Sequence, residues 1–247
     1  MSFEPLYLLH TRPNSQLLAA WAARHHLLDS QGDLGYALHA LLRAAFGDQA
    51  PQPFRYLNAE QGLLAYSRMS SPELAQLAAM ADVDVSAALG LGQTLNYEGL
   101  NTRAFPSQWA PGHVLGFEVR VRPIVREGKT GRERDAFLSA IDKSGGGELD
   151  RSEVYVQWMR DLFLRQGGAE LVSAKVTRYQ HLGVTRKTKK GTADNARQSR
   201  LVSGPDAILE GQLRVTDSTA FANLLARGIG RHKAFGFGLL LLRSANG

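Results

Sequence analysis

The stretch GIGRHKAFGFGLLLL, residues 228–242, decides how the fold is read. Four glycines and three basic residues stand just ahead of a leucine run. Nucleotide-binding glycine loops follow a strand and open a helix, so that phosphate meets the helix N-terminus. Here the order is reversed. DSTAFANLLARGI reads as a helix capped by Asp217 or Ser218, the glycines follow it, and the leucines read as the last strand. This argues against a dinucleotide-binding fold. The lack of any Gly-x4-Gly-Lys-Ser/Thr string excludes a P-loop. Two readings of the glycines remain. Gly228 can simply end the helix before a tight turn. Alternatively, Gly228, Gly230, Gly236 and Gly238 let the backbone lie close to a phosphodiester chain, whose charge Arg231, His232 and Lys233 neutralise.

Upstream, helices and strands intermingle. PLYLLH (5–10) reads as a strand. NSQLLAAWAARHHLL, capped by Asn14 or Ser15, and GDLGYALHALLRAAFGD, capped by Asp33 and ended by Gly47, read as helices. Residues 54–69 read as a hairpin, and SSPELAQLAAMA (70–81) as a helix with Pro72 in its first turn. The Gly- and Pro-rich segment 90–113 reads as an irregular connector. VLGFEVRVRPIVR (114–126) alternates like a half-buried strand, with Arg120, Arg122 and Arg126 forming a basic outer face. A short helix (ERDAFLSAI), a loop (144–150), an amphipathic helix (SEVYVQWMRDLFLRQ) and two strands (ELVSAKVTRYQHLGV, AILEGQLRV) separated by an exposed loop or hairpin tip (185–204) complete the second half. The expected fold class is α+β: two tandem ferredoxin-like (RRM-like) domains with antiparallel sheets, 1–112 and 113–247. No sequence repeat marks the duplication.

Composition narrows the function. A chain of 247 residues, 44% hydrophobic, can bury a substantial core. The absence of cysteine excludes disulfides, zinc-thiolate sites, iron–sulfur clusters and a cysteine nucleophile. With no run of 18 apolar residues and no signal-peptide layout in MSFEPLYLLHTRP, the expectation is a cytoplasmic protein without membrane contact. The net charge of +6 is unevenly spread. Between Lys175 and Arg200, eight basic residues against the single Asp194 give +7, so the rest of the chain is slightly acidic. Such a concentration is either a solvated loop or a surface for the phosphates of an RNA stem.

The glycine-rich stretch resembles the C-terminal signature of CRISPR repeat-processing endoribonucleases, G-h-G-x-x-K-x-h-G-h-G-h-h with h apolar. Gly228, Gly230, Lys233, Gly236 and Gly238 occupy its fixed positions. The layout is similar to the CasE subgroup of Cascade-type systems, and FEVRVRPIVR is similar to the strand opening its second half. That resemblance implies a metal-independent endoribonuclease with no cofactor. It would cut CRISPR repeat RNA at a stem-loop by 2′-hydroxyl attack, leave a 2′,3′-cyclic phosphate, and stay bound among other subunits of a Cascade-like complex.

CasE proteins carry a helix histidine, often as Tyr-x-x-His, matched here by Tyr36 and His39, whose spacing puts both on one helix face. Taken alone, a histidine inside an apolar helix reads as packing. The resemblance makes His39 the expected general base or acid, with Tyr36 orienting the 2′-hydroxyl or phosphate. Because residues 11–33 form an insertion relative to the family, His25 or His26 is the alternative catalyst. The resemblance also assigns Arg186, Lys187, Lys189 and Lys190 to RNA phosphate, with one of the four near the scissile bond to steady the phosphorane; Lys187 is the named candidate, and which of them it is stays open. Gly228, Gly230, Arg231, Lys233 and Gly236 are the further RNA-contacting candidates. No metal site is expected, since the carboxylates are scattered and do not cluster as two-metal cleavage needs. The alternatives are a non-catalytic RNA-binding subunit of a CRISPR complex, and an unrelated ferredoxin-like protein whose glycine turn shapes a protein interface.

Overall fold

A computed structural model describes residues 5–28, 34–92, 99–106, 108–128, 131–145, 147–187 and 199–245, with only the backbone at 184–187 and 199–202. The first half runs β1 (Leu6–Thr11), α1 (Ser15–Arg24), α2 (Gly35–Phe46), β2 (Phe54–Asn58), β3 (Gly62–Ser67), α3 (Ser71–Met80), α4 (Val83–Leu89) and β4 (Asn101–Phe105). Its antiparallel sheet has the order β2-β3-β1-β4. The second half runs β5 (Val114–Val121), β6 (Ile124–Glu127), β7 (Arg132–Asp135), α5 (Ala136–Lys143), α6 (Arg151–Gln166), β8 (Ala169–Lys187), β9 (Ser199–Val215), α7 (Ser218–Arg227) and β10 (Leu240–Ser244). Its main sheet has the order β10-β5-β9-β8, also antiparallel, with β6 and β7 paired separately. Each half therefore places its first strand between its third and fourth, the ferredoxin-like arrangement.

Local chemistry sets the helix ends. Asn14 accepts from the amides of Gln16 and Leu17 to start α1, Ser70 and Glu73 form a reciprocal capping box on α3, and Asp217 accepts from Ala220 to start α7. Gly47 and Gly228 end α2 and α7 at positive φ. The cap of α2 is Leu34, which makes no side-chain bond; Asp33 lies outside the described residues.

Both faces of the first sheet are covered. Leu9, Phe54, Leu63 and Ala65 pack under the four helices with Leu18, Trp21, Leu38, Leu42 and Phe46. Leu6, Leu8 and Tyr66, on the opposite face, join the core of the second half with Trp109, Phe221 and Leu240. The Tyr66 hydroxyl donates to the Leu240 carbonyl at 2.9 Å, so a buried hydrogen bond joins the halves. Double coverage explains why β1 and β3 read as nearly continuous apolar runs.

Five expectations need correction. The connector 90–113 contains the edge strand β4, the segment before the 136–143 helix is the β6–β7 hairpin, and α4 follows α3 directly. The expected basic outer face of residues 114–126 is largely enclosed. Arg120 makes a two-pronged ion pair with Asp206, both contacts at 2.9 Å, and lies over the Phe237 ring. Arg122 is only 1% exposed and donates to the carbonyls of Pro205 and Leu182. Only Arg126 of the three is exposed. Finally, β8 and β9 reach further into the basic segment than the sequence suggested: Lys187 still pairs with Ser199.

Candidate functional site

The helix α2 buries Leu38, Leu41, Leu42 and Ala45 and turns Tyr36 and His39 to its partly exposed side. After α7, the chain passes Gly228, makes a single 3-10 turn at Lys233–Phe235, and enters β10. This turn sits on α2. The Phe235 ring lies 5.9 Å from Tyr36, 6.2 Å from His39 and 6.0 Å from His232, centroid to centroid. The glycine-rich segment and the Tyr-x-x-His helix, almost two hundred residues apart, thus form one cluster.

His39 is held from a second side. Its Nδ1 stands 3.2 Å from the Gln52 amide, a group that can present either a donor or an acceptor. Burial, helped by the nearby Arg43 charge, pulls the His39 pKa below its ordinary 6.5, so the ring is neutral at neutral pH. Lys233 is likewise lowered by burial and by Arg227. Arg231 and His232 both engage Glu133 of β7, at 2.7 Å each.

The four glycines all take positive φ, from 69° to 83°. A Cβ on Gly228 would meet Pro53 Cγ at 2.8 Å and the Gly238 oxygen at 2.9 Å, and one on Gly238 would overlap the Ile229 carbonyl oxygen. The close approach these two permit is to the protein itself. Gly230 and Gly236 meet nothing nearer than 3.7 and 3.5 Å, so only their φ demands glycine.

Of the other sequence candidates, His25 stacks on Trp21 at 4.1 Å and His26 follows at φ 53°, in the turn after α1; the ring contacts of Phe235 are with Tyr36, His39 and His232 instead. Arg186 and Lys187 fall at the end of β8, the strand of the second half that packs against α2. Lys189 and Lys190 lie outside the described residues. Beside Phe235, a cleft between the halves is lined by Arg55, Arg120, Arg178 and Gln180. Among the described residues no group of three or more His, Asp or Glu could hold a metal ion, and no helix is long and apolar enough to cross a membrane. Sequence reasoning missed Glu133, Gln52 and Phe235. Phe235 alone had a signal, as an apolar position of the glycine-rich motif.

Fold and cluster together define a protein of two ferredoxin-like halves whose C-terminal glycine-rich turn is laid on a histidine-bearing helix of the first half. A family model described as CRISPR associated protein matches residues 6–244, and the chain belongs to that family. No curated protein matches it. Among solved structures, it is similar to a CRISPR endoribonuclease Cse3 bound to a 19-nucleotide RNA, with TM-score 0.64 and 20% identity over 98% of this chain and 100% of that one. It is also similar to Thermus thermophilus Cse3 bound to an RNA representing a pre-cleavage complex, with TM-score 0.62 and 21% identity over 97% and 99% of the two chains. A chain of a CRISPR RNA-guided surveillance complex gives TM-score 0.53 and 19% identity over 97% and 99%. At these identities the likeness is one of fold.

Proposed function

We propose that this protein is a metal-independent endoribonuclease that cuts CRISPR repeat RNA beside a stem-loop and stays bound to the product as a subunit of a Cascade-like complex. One observation carries the reading: the family's glycine-rich motif sets Phe235 against the Tyr36–His39 face. Family membership over residues 6–244 and the fold shared with Cse3 support it.

In this reading His39, neutral at working pH, takes the proton of the RNA 2′-hydroxyl. The 2′-oxygen attacks the adjacent phosphorus, the bond to the 5′-oxygen breaks, and that oxygen takes a proton from water as it leaves, His39 returning its own proton to solvent. The products are a 2′,3′-cyclic phosphate and a 5′-hydroxyl. Tyr36, one turn before His39, orients the hydroxyl or the phosphate. Lys187, at the end of β8, offsets the charge of the phosphorane, while Arg186, Lys189, Lys190 and Lys233 meet RNA phosphates. Arg231 would have to share Glu133 with any phosphate it contacts.

The test is incubation of wild type and His39→Ala with the repeat RNA of the protein's own locus in EDTA, resolved on a denaturing gel beside a binding titration. A single cut by wild type and none by His39→Ala, at similar affinity, is expected. Cleavage that persists in the variant removes His39 from the mechanism. Tight binding without cleavage by wild type leaves an RNA-binding subunit.

A further inference from the structure

Glu133 reaches the glycine-rich turn through Arg231 and His232, and its own surroundings are well fixed. It stands on β7, paired in register with Arg126 of β6. Two residues on, Asp135 caps α5 by accepting from the Phe137 amide, pairs with Arg151 at 2.9 Å and accepts the Tyr155 hydroxyl. The strand end is therefore bolted to α6. From this support the Glu133 carboxylate reaches across to the turn. Oε1 accepts from Arg231 Nε at 2.7 Å, and Oε2 lies 2.7 Å from His232 Nε2, whose side chain is 7% exposed. The hydrogen bond from His232, then the hydrogen bond and charge of Arg231, outweigh partial burial and hold the carboxyl down at about 2, so it is ionised at any working pH.

His232 has the backbone conformation that needs such support. Its φ is 59°, a left-handed geometry that residues other than glycine rarely adopt. From there its carbonyl accepts the Phe235 amide at 2.8 Å, closing the turn that presents the Phe235 ring. A continuous path runs from Glu133 to His232, through the turn to Phe235, and on to Tyr36 and His39.

We infer that Glu133 is a positioning residue for the RNA-cleavage site: it latches the glycine-rich turn in the conformation that sets Phe235 against Tyr36 and His39. The inference rests on the ribonuclease reading for its effect on rate, but the latch itself can be observed without RNA. The experiment compares Glu133→Gln, His232→Ala, the double variant, and Glu127→Gln at the far end of the same hairpin. The first readout is the NMR signal of the His39 ring protons in the RNA-free protein, which senses the Phe235 ring. The second is the single-turnover cleavage rate at saturating protein, beside the affinity for the repeat RNA and the melting temperature.

The expected result is a shifted His39 signal in Glu133→Gln and His232→Ala, with cleavage about 10- to 100-fold slower, since small misplacements of reacting groups cost rates of that order. Affinity should stay within about threefold, the double variant should be no worse than either single one, and Glu127→Gln should match wild type. An unmoved His39 signal with an unchanged rate overturns the inference. So does a parallel loss of rate, affinity and melting temperature, which would make Glu133 a folding contact only. If wild type does not cut, the cleavage reading fails, and the His39 signal alone still decides whether the latch exists.

Discussion

Replacing Gly238 and Gly236 separately by alanine distinguishes glycines that serve the fold from glycines that serve RNA. Both have φ near 80°, so each alanine incurs about 1–2 kcal/mol for a left-handed residue. Their surroundings differ. At Gly236 the nearest atom to a new methyl is Phe54 Cε2 at 3.5 Å, an ordinary contact, so the conformational cost is all there is. At Gly238 the methyl would overlap the Ile229 oxygen and press on Lys233 Cγ at 3.1 Å. The backbone there donates to the Arg120 carbonyl at 2.8 Å and accepts from the Ile229 amide at 2.9 Å. Relieving the overlap sacrifices at least one of these bonds, and a buried group left unpaired costs about 1–3 kcal/mol. Gly238→Ala should therefore lose roughly 2–5 kcal/mol and Gly236→Ala about 1–2. For a chain of this size that is a drop in melting temperature of roughly 4–20 °C against about 2–8 °C. Differential scanning calorimetry measures both, beside RNA affinity well below the transitions. Equal stability losses, or a Gly238→Ala variant as stable as wild type but deficient in RNA affinity, would refute the reasoning and return Gly238 to the RNA.

Two further outcomes follow from the same geometry. Protonated His39 cannot act as a base, so cleavage falls as pH drops through its lowered pKa; the acid limb of the single-turnover profile should be centred below 6.5, and Arg43→Gln, which removes the smaller of the two depressing influences, should move it modestly upward. Tyr66→Phe leaves the Leu240 carbonyl without its buried donor and should cost about 1–2 kcal/mol in urea unfolding.

The strongly periodic and well-capped elements were legible from sequence. The amphipathic helix α6, the helix α3 with Pro72 in its first turn, the helix before the glycines and the leucine strand after them all fall where spacing put them. What was missed lacked a local signal. The edge strand β4, NTRAF, is mostly exposed and carries no apolar alternation. In the β6–β7 hairpin, REGKTGRERD offers charge where a strand reading looks for apolar residues. Arg122 looked like a surface cation because its carbonyl partners arrive from 60 and 83 positions away. The site divides in the same way. Tyr36 and His39 could be paired by helical spacing, but Glu133 meets Arg231 and His232 across 98 and 99 positions, a pairing that only topology creates.

That topology makes the cluster a property of the joined halves. Tyr36 and His39 come from the first half, Phe235 and His232 from the second, and neither half holds the arrangement alone. The turn is placed by its two ends. At its start, Gly228 lies against Pro53 of the first half. Just past its finish, Leu240 is fixed by the Tyr66 hydroxyl, and β10 pairs with β5. The buried Arg55 of β2 pairs with the partly exposed Glu118 of β5. Leaving the buried Arg55 guanidinium without its carboxylate is costly, so the pair favours one docking geometry over its neighbours. The leucines of the closing stretch extend this logic: by completing the second sheet and reaching Tyr66, they set the height at which Phe235 meets His39. The glycines are then the means by which a helix end, a latch on Glu133 and a strand start can follow one another within eleven residues.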